Sequence, residues 1–537
     1  MNTHPQDPSD QPQSTPGSIP PPPMPNPEVA PYSQPGFQAG GEYAVDTGVG
    51  EPTTKGSKKK GLMIAGAAAG LVALGAGGWA IKTFVLDKVQ GAESPEAAVS
   101  RLVESLESHD SIGAYGSIDP VDVELVSNSA DRFLSHFDSL SEGELQGKLT
   151  DAWKAFDLTS KDVEYTVEDL GSGYARVFVE KGEFTLDADA TKVSDLAVDS
   201  YNMLLDSGFG ALIEETGTEK PTEDEIRAEV TDSIEQEFPL TFTAEDLNAI
   251  PLDSADSLTS DLGGLSGLTD PFALEDGLEG LEGLGDDSAG LGENGTEAAE
   301  TIRFGFIATQ SDSGWYVSPS VTAYDLQSRA MGVEPDYAAL PAATPAASPE
   351  EAAANLVNGF TAGLKEGKLD GGLGLLVDGE RRVATTQLGS DDAGDTASDI
   401  VEGMKQIDIS DAEFELDRKE GDIAYLKLKS LKLSGEVEGQ SGTVDISSEC
   451  LGVNAAGMNI SMCIRDIPAA QELGLDKVRL IAREVDGGWL IAGSESSSDA
   501  SGILLSNVDR LAKEGKLTDT QWWIDNSGVL GQLLGSM

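Results

Sequence analysis

The sequence predicts an α+β protein whose bulk is two related rolls, each made of helices and an antiparallel sheet. Three observations predict it. Helix-start signals recur 254 residues apart, at Ser94-Pro95-Glu96 and Ser348-Pro349-Glu350. Downstream of each, apolar and polar residues alternate on both sides of a glycine-containing turn. Each copy then closes on a Gly-Trp strand, Gly314-Trp315-Tyr316-Val317 and Gly488-Trp489-Leu490-Ile491. An ordered recurrence of cap, helix, hairpin and closing strand is the mark of an internal repeat.

Each start signal combines a Ser N-cap, a Pro at the first helical position and an acid in the first turn. Val99, Leu102, Val103 and Leu106 follow at i, i+3, i+4, i+7, so one helix face is expected to be buried. Ala352, Leu356, Val357 and Phe360 answer them in the second copy. The segments Val163–Val167 and Ala175–Val179 flank Gly171-Ser172-Gly173, and Ala412–Leu416 and Ala424–Leu428 flank Gly421. Both pairs read as antiparallel hairpins. Ile302–Ala308 and Val478–Ala482 are the strands expected before the two Gly-Trp strands, the second joined through Asp486-Gly487-Gly488.

The copies differ in length. From Ser94 to Trp315 is 221 residues, from Ser348 to Trp489 only 141. Residues 192–237 read as helical. Residues 253–300 hold 13 acids and no Lys or Arg, with leucines every three residues flanked by Gly, which fits neither a helix stripe nor a strand. They read as a flexible acidic loop, and as a candidate for weak divalent-cation binding through hard oxygen ligands, although no EF-hand loop motif is present. Apolar helical stretches near 500–513 and 518–535 are expected to dock on the second copy. The expected organisation is a first module at 92–333, a linker at 334–347, a second module at 348–495 and C-terminal helices at 496–537.

Ahead of the modules, residues 1–60 contain 13 of the 25 prolines and read as a disordered tail. Gly61–Ile81 is a 21-residue run without a charge, roughly 31 Å long as a helix, and with Phe84–Leu86 it gives an expected transmembrane helix at 61–86. Lys58, Lys59 and Lys60 precede it, so the positive-inside rule puts the N-terminus in the cytoplasm and the C-terminus outside, in a single-pass cell-membrane topology. Gly66 and Gly70 form a G-x-x-x-G, a candidate surface for helix dimerisation and hence for a homodimer.

The net charge is −59. Such a surface repels polyanions, so nucleic-acid binding is excluded as an expectation. Cys450 and Cys463 are the only cysteines and lie on the outer side of the expected span, where an even pair reads as a disulfide. A redox role would favour C-x-x-C, which is absent. His109 reads as a solvated residue at a helix end and His136 as packing beside Phe133, Leu134 and Phe137. No H-E-x-x-H, Walker loop or G-x-S-x-G occurs. Acids are so numerous that no carboxylate pair can be nominated, and the chain is expected not to be an enzyme and to need no cofactor.

The Ser-Pro-Glu-capped helix, the strands and the final Gly-Gly-Trp-Leu-Ile strand resemble the cystatin-like or nuclear-transport-factor-two-like α+β roll of bacterial extracytoplasmic proteins. The resemblance covers about 94–200 with 300–320, and 348–495. The Pro-rich tail, lysine cluster and Ala/Gly-rich anchor look actinobacterial. The resemblance implies a curved antiparallel sheet cradling helices, in some members with a pocket, and one enzyme type with an Asp base, for which no residue stands out here. Fold alone does not give function. The expected function is a non-enzymatic, membrane-anchored binding or scaffold protein of the cell envelope, with an envelope protein or cell-wall component as partner. The alternative is a carrier or chaperone for an apolar small molecule or lipid, which would place a deep apolar cavity against Trp315 or Trp489.

Overall fold

The computed structural model describes residues 90–137, 142–208, 210, 220–251, 301–330, 332–366, 371–388, 407–437, 440–455 and 458–528. The expected tail, the expected span with Lys58, Lys59, Lys60, Gly66 and Gly70, and the acidic stretch 253–300 lie outside the described residues. Among the described residues, no helix is long and apolar enough to cross a membrane.

The protein is α+β, with antiparallel sheets and packed helices. The first half opens with α1 (Pro95–Glu107), α2 (Ser111–Tyr115), α3 (Pro120–Leu134) and α4 (Glu142–Trp153). The long hairpin β1 (Phe156–Gly171) and β2 (Tyr174–Ala188) follows, then α5 (Ala190–Asp206) and α6 (Glu223–Glu237). After them come β3 (Leu240–Thr243), α7 (Ala244–Leu247), the short pair β4 (Ile250–Pro251) and β5 (Thr301–Ile302), β6 (Gly305–Ser311), β7 (Gly314–Val317) and α8 (Pro319–Ala330). Strands β1, β2, β6 and β7 neighbour one another in that order, and β3 pairs with the far end of β2.

The second half holds α9 (Pro349–Glu366), α10 (Asp378–Leu388), the hairpin β8 (Ile407–Glu420) and β9 (Ile423–Val437), then β10 (Gln440–Ile446), β11 (Cys450–Ala455) and β12 (Met458–Cys463). It ends with α11 (Pro468–Glu472), β13 (Leu480–Val485), β14 (Gly488–Ile491), α12 (Gly493–Lys513) and α13 (Thr520–Asn526). The seven-stranded sheet runs β12-β11-β10-β9-β13-β14, with β8 on the other side of β9.

Local chemistry accounts for the main elements. Ser94 accepts from the Ala97 amide at 3.3 Å, Ser348 from the Glu351 amide at 3.2 Å, and both helices then begin at Pro. Val99, Leu102 and Val103 bury their side chains against β1, β2, β6 and β7. Each such burial is worth about 1.5–3 kcal/mol. Both long hairpins are irregular at matched places. Asp162 in β1 (φ 51°) and Asp411 in β8 (φ 55°) take the left-handed conformation where the register shifts. Ala92 bridges Trp315 and Ala346 bridges Trp489, while Ile118 and Leu376 make parallel bridges to Val317 and Ile491. Gly314, at φ 126°, lets that first bridge form: a Cβ there would lie 2.7 Å from the Ala92 carbonyl oxygen.

The two halves exchange helices. α8 packs on α10, α12 packs on α3, and α3 meets α10. The C-terminal helical stretch therefore docks on both halves and not on the second copy alone, because α12 also touches β13. Gly502 makes the close approach: a Cβ there would lie 2.8 Å from the Phe133 carbonyl oxygen. Between the halves, Tyr337 is buried with Tyr174, Ile307 and Val321, and its hydroxyl donates to Asp325 at 2.6 Å.

Candidate functional site

Among the described residues, two places concentrate side chains capable of function: the polar seam between the halves, and the β10–β12 arm of the larger sheet.

The seam is built on helix termini. Asp122, in the first turn of α3, accepts from the Ser318 hydroxyl at 2.8 Å, the Ser320 amide at 3.1 Å and the Ser320 hydroxyl at 2.7 Å. It thereby caps the start of α8. Glu380, in the first turn of α10, accepts from the amides of Gly493 and Ser494 at 2.8 and 2.7 Å and caps the start of α12. Burial pushes the Asp122 carboxyl up to about 6, helped by the neighbouring Asp119 and opposed by the serine donors. Burial raises Glu380 as well.

Charged pairs cross from one half to the other. Arg382 of α10 donates to Asp119 at 2.7 Å, and the Thr309 hydroxyl donates to the same oxygen. Arg132 of α3 donates to Glu495 at 3.4 Å and to the Tyr425 hydroxyl at 2.6 Å. His136 Nε2 lies 2.9 Å from Asp499, so this histidine also joins the halves. Within the first half, buried Arg176 donates two hydrogen bonds to Asp325, at 3.1 and 2.7 Å, and a further one to Glu334. Those carboxylates hold the guanidinium strongly protonated against the desolvation that opposes it. Fixed partners therefore occupy the seam carboxylates, and the arrangement is one that locks helices together.

Elsewhere, His109 follows α1 with φ 54°, and its Nε2 lies 3.0 Å from the Phe156 carbonyl. Among the described residues, no group of three or more His, Cys, Asp and Glu side chains is arranged to hold a metal ion. A groove of about 460 Å³ is lined by Pro468, Gln471, Glu472, Lys477, Asn507 and Arg510; Arg510 donates to Glu472 at 2.8 Å across it. Trp489 is 6% exposed within the core beside Ala346, Ala352 and Ile491. Trp315 packs partly buried on the core of the first half.

The arm has a sharper asymmetry. In register, Ile409, Leu433, Val444, Val453 and Ile460 form one row across β8–β12. Leu431, Ile446, Leu451 and Met462 form the next row on the same face, two residues along. The opposite face carries Ser434, Thr443, Asp445, Asn454, Asn459 and Ser461. None of the nine apolar residues is buried, and Ile460 and Leu451 remain 46% and 36% exposed. α9 covers β8, whereas β10, β11 and β12 make their principal contacts with strand neighbours.

Cys450 and Cys463 face each other across β11 and β12 and are disulfide-bonded, with Cα atoms 3.9 Å apart. The Ile464 amide donates to Glu449 at 2.8 Å. Antiparallel alternation then makes Cys450/Cys463, Gly452/Ser461 and Asn454/Asn459 the close, non-hydrogen-bonded pairs. The backbone N–H and C=O of Asn459 and Ser461 therefore point away from β11, along the edge of the sheet. Among the described residues, β12 has no neighbour on that side.

No protein-family model matches the chain, and neither does any curated protein or any solved structure. The cysteine pair was legible in the sequence. The seam residues Asp119, Asp122, Glu380, Arg382 and Glu495 were not, because nothing separates them from so many other acids and their partners lie up to 363 residues away. One signal was available: Asp119-Pro120 and Asp378 stand where helix starts are expected. The arm also carried a signal, since residues 450–464 include no charged side chain.

Proposed function

We propose that this chain is a non-enzymatic, membrane-anchored binding or scaffold protein of a bacterial cell envelope, with its acidic bulk outside the membrane. The observation that carries the reading is the β10–β12 arm. Among the described residues its strands β11 and β12 have no counterpart in the smaller sheet, and it carries a half-buried to exposed apolar face on one side and a polar face on the other. Contiguous exposed apolar surface on a folded protein marks an interaction site. The seam supports a scaffold role, since its helices join the two halves that carry the sheets. The uncharged run 61–81 after Lys58, Lys59 and Lys60 supports the anchor, and the cystine supports an oxidising compartment. The two rolls are read as cystatin-like on the resemblance of their capped helices and Gly-Trp strands.

Site-specific photo-crosslinking in living cells tests this. A probe at Ile460 should yield a defined protein adduct and one at Thr443, on the polar face, should not. Equal labelling at both positions, or none at either, would remove the support. Protease added to intact cells should digest residues beyond 90; protection of that region would overturn the topology.

A further inference from the structure

We infer that the edge of β12 is a strand-addition site for a cationic, extended segment of a partner protein whose apolar side chains alternate. This rests on the proposed binding role and names the mode and chemistry of the partner.

Three independent features converge on it. First, the backbone groups of Asn459 and Ser461 face outward and have no partner among the described residues, which is a template for one more antiparallel strand. Second, the apolar row ends at Ile460, the most exposed member of the row. A further strand with apolar residues at alternate positions would extend both rows and cover Ile460 and Met462. Third, proteins guard open edges with charge or proline, yet Met458–Cys463 has neither. The disulfide at its base holds β12 on β11, so the template is ordered before any partner arrives.

Charge selects the occupant. The residues beyond 88 carry a net −58, so a second copy approaching this edge meets long-range repulsion, whereas a basic segment is attracted. The edge itself is neutral, so strand pairing buries no unpaired carboxylate. Specificity then comes from backbone pairing and alternation, and association rate from the field.

The test uses the full chain in detergent and three short synthetic peptides: alternating lysine and valine, alternating glutamate and valine, and the lysine–valine peptide with alternate amides N-methylated. The lysine–valine peptide should bind, bind less well as salt rises, and slow hydrogen exchange at the Asn459 and Ser461 amides. The N-methylated peptide should bind about tenfold more weakly or worse, since it cannot complete the ladder. Ser461→Pro should abolish binding while leaving the β11 ladder intact, because that amide points outward. If the variant misfolds, the N-methylated peptide on the unaltered chain still separates backbone pairing from mere charge attraction. Equal binding of the methylated or the glutamate peptide overturns the inference. So does self-association through this edge without peptide. If a partner is still crosslinked at Ile460 in cells, only strand addition has failed; if nothing is crosslinked there, the binding role fails as well.

Discussion

Arg382, on a helix of the second half, donates to the Asp119 carboxylate of the first half at 2.7 Å, and both side chains are largely shielded from water. The pair joins residues 263 positions apart. It sits beside the carboxylate that caps α8, so helix capping and the meeting of the halves form one polar network.

Removing one partner of such a pair leaves a shielded charge alone. Arg382→Ala should destabilise the fold by on the order of 3 kcal/mol. Chemical denaturation followed at Trp315 and Trp489 should show both halves unfolding together at lower denaturant. Lys181→Ala is the control, because its pair with Glu164 at 2.7 Å is exposed on both sides. It should leave the denaturation midpoint essentially unchanged, since solvent screens an exposed pair. Equal effects would mean the seam carries no special weight.

Asp122 makes stability depend on pH. Its carboxyl is raised from the ordinary value to about 6, so the folded state holds the proton more tightly than the unfolded chain. The associated stability is fully present below the unfolded value near 3.8 and is lost as pH rises through about 6. Relative to Asp122→Asn, the parent should lose up to about 3 kcal/mol across that window. Paired melts at several pH values measure this as a difference, which cancels the many other carboxylates. A difference that stays flat with pH would refute the assignment.

Cutting the cystine should act locally. Cys450→Ser with Cys463→Ser should cost roughly 3 kcal/mol or less in the loop-closure view, the partners being 13 positions apart in sequence. Hydrogen exchange at Val453 and Ile460 should speed up while Val177 and Val179 in β2 keep their protection. Uniform acceleration across both sheets would show that the arm is not an independent element.

The bulge in β8 places Asp411 at φ 55°, a conformation that glycine adopts freely and branched side chains resist. Asp411→Gly should be nearly neutral, and Asp411→Val should cost about 1–2 kcal/mol. Parallel substitutions at Asp162 in β1 should rank the same way, since it takes the same conformation at φ 51°. Thermal melts of the four variants decide it.

Much of the local architecture was readable in advance. Ser94 and Ser348 cap helices because a side-chain oxygen, a proline and an acid within a few residues suffice to start one. The turns at Gly171–Gly173 and Gly421 join strands because glycine takes φ 79°, 81° and 66° there at little cost. Residues 440–446 gave no expectation, although they form β10. Their pattern is short, and only the register with β9 lines Val444 and Ile446 up with Leu433 and Leu431.

The sequence by itself determined what depends on near neighbours: the α+β class, the capped helices, the hairpins and the facing cysteines. Capping, turn geometry and side-chain alternation act over a few residues, and residue types record them directly. Tertiary structure alone decided that α12 lies on α3, that α8 lies on α10, which of the many acids are buried, and that β12 stands at the end of its sheet among the described residues. Those outcomes depend on which surfaces exclude water together, and a carboxylate carries no mark in its own sequence of the arginine or serine that will meet it.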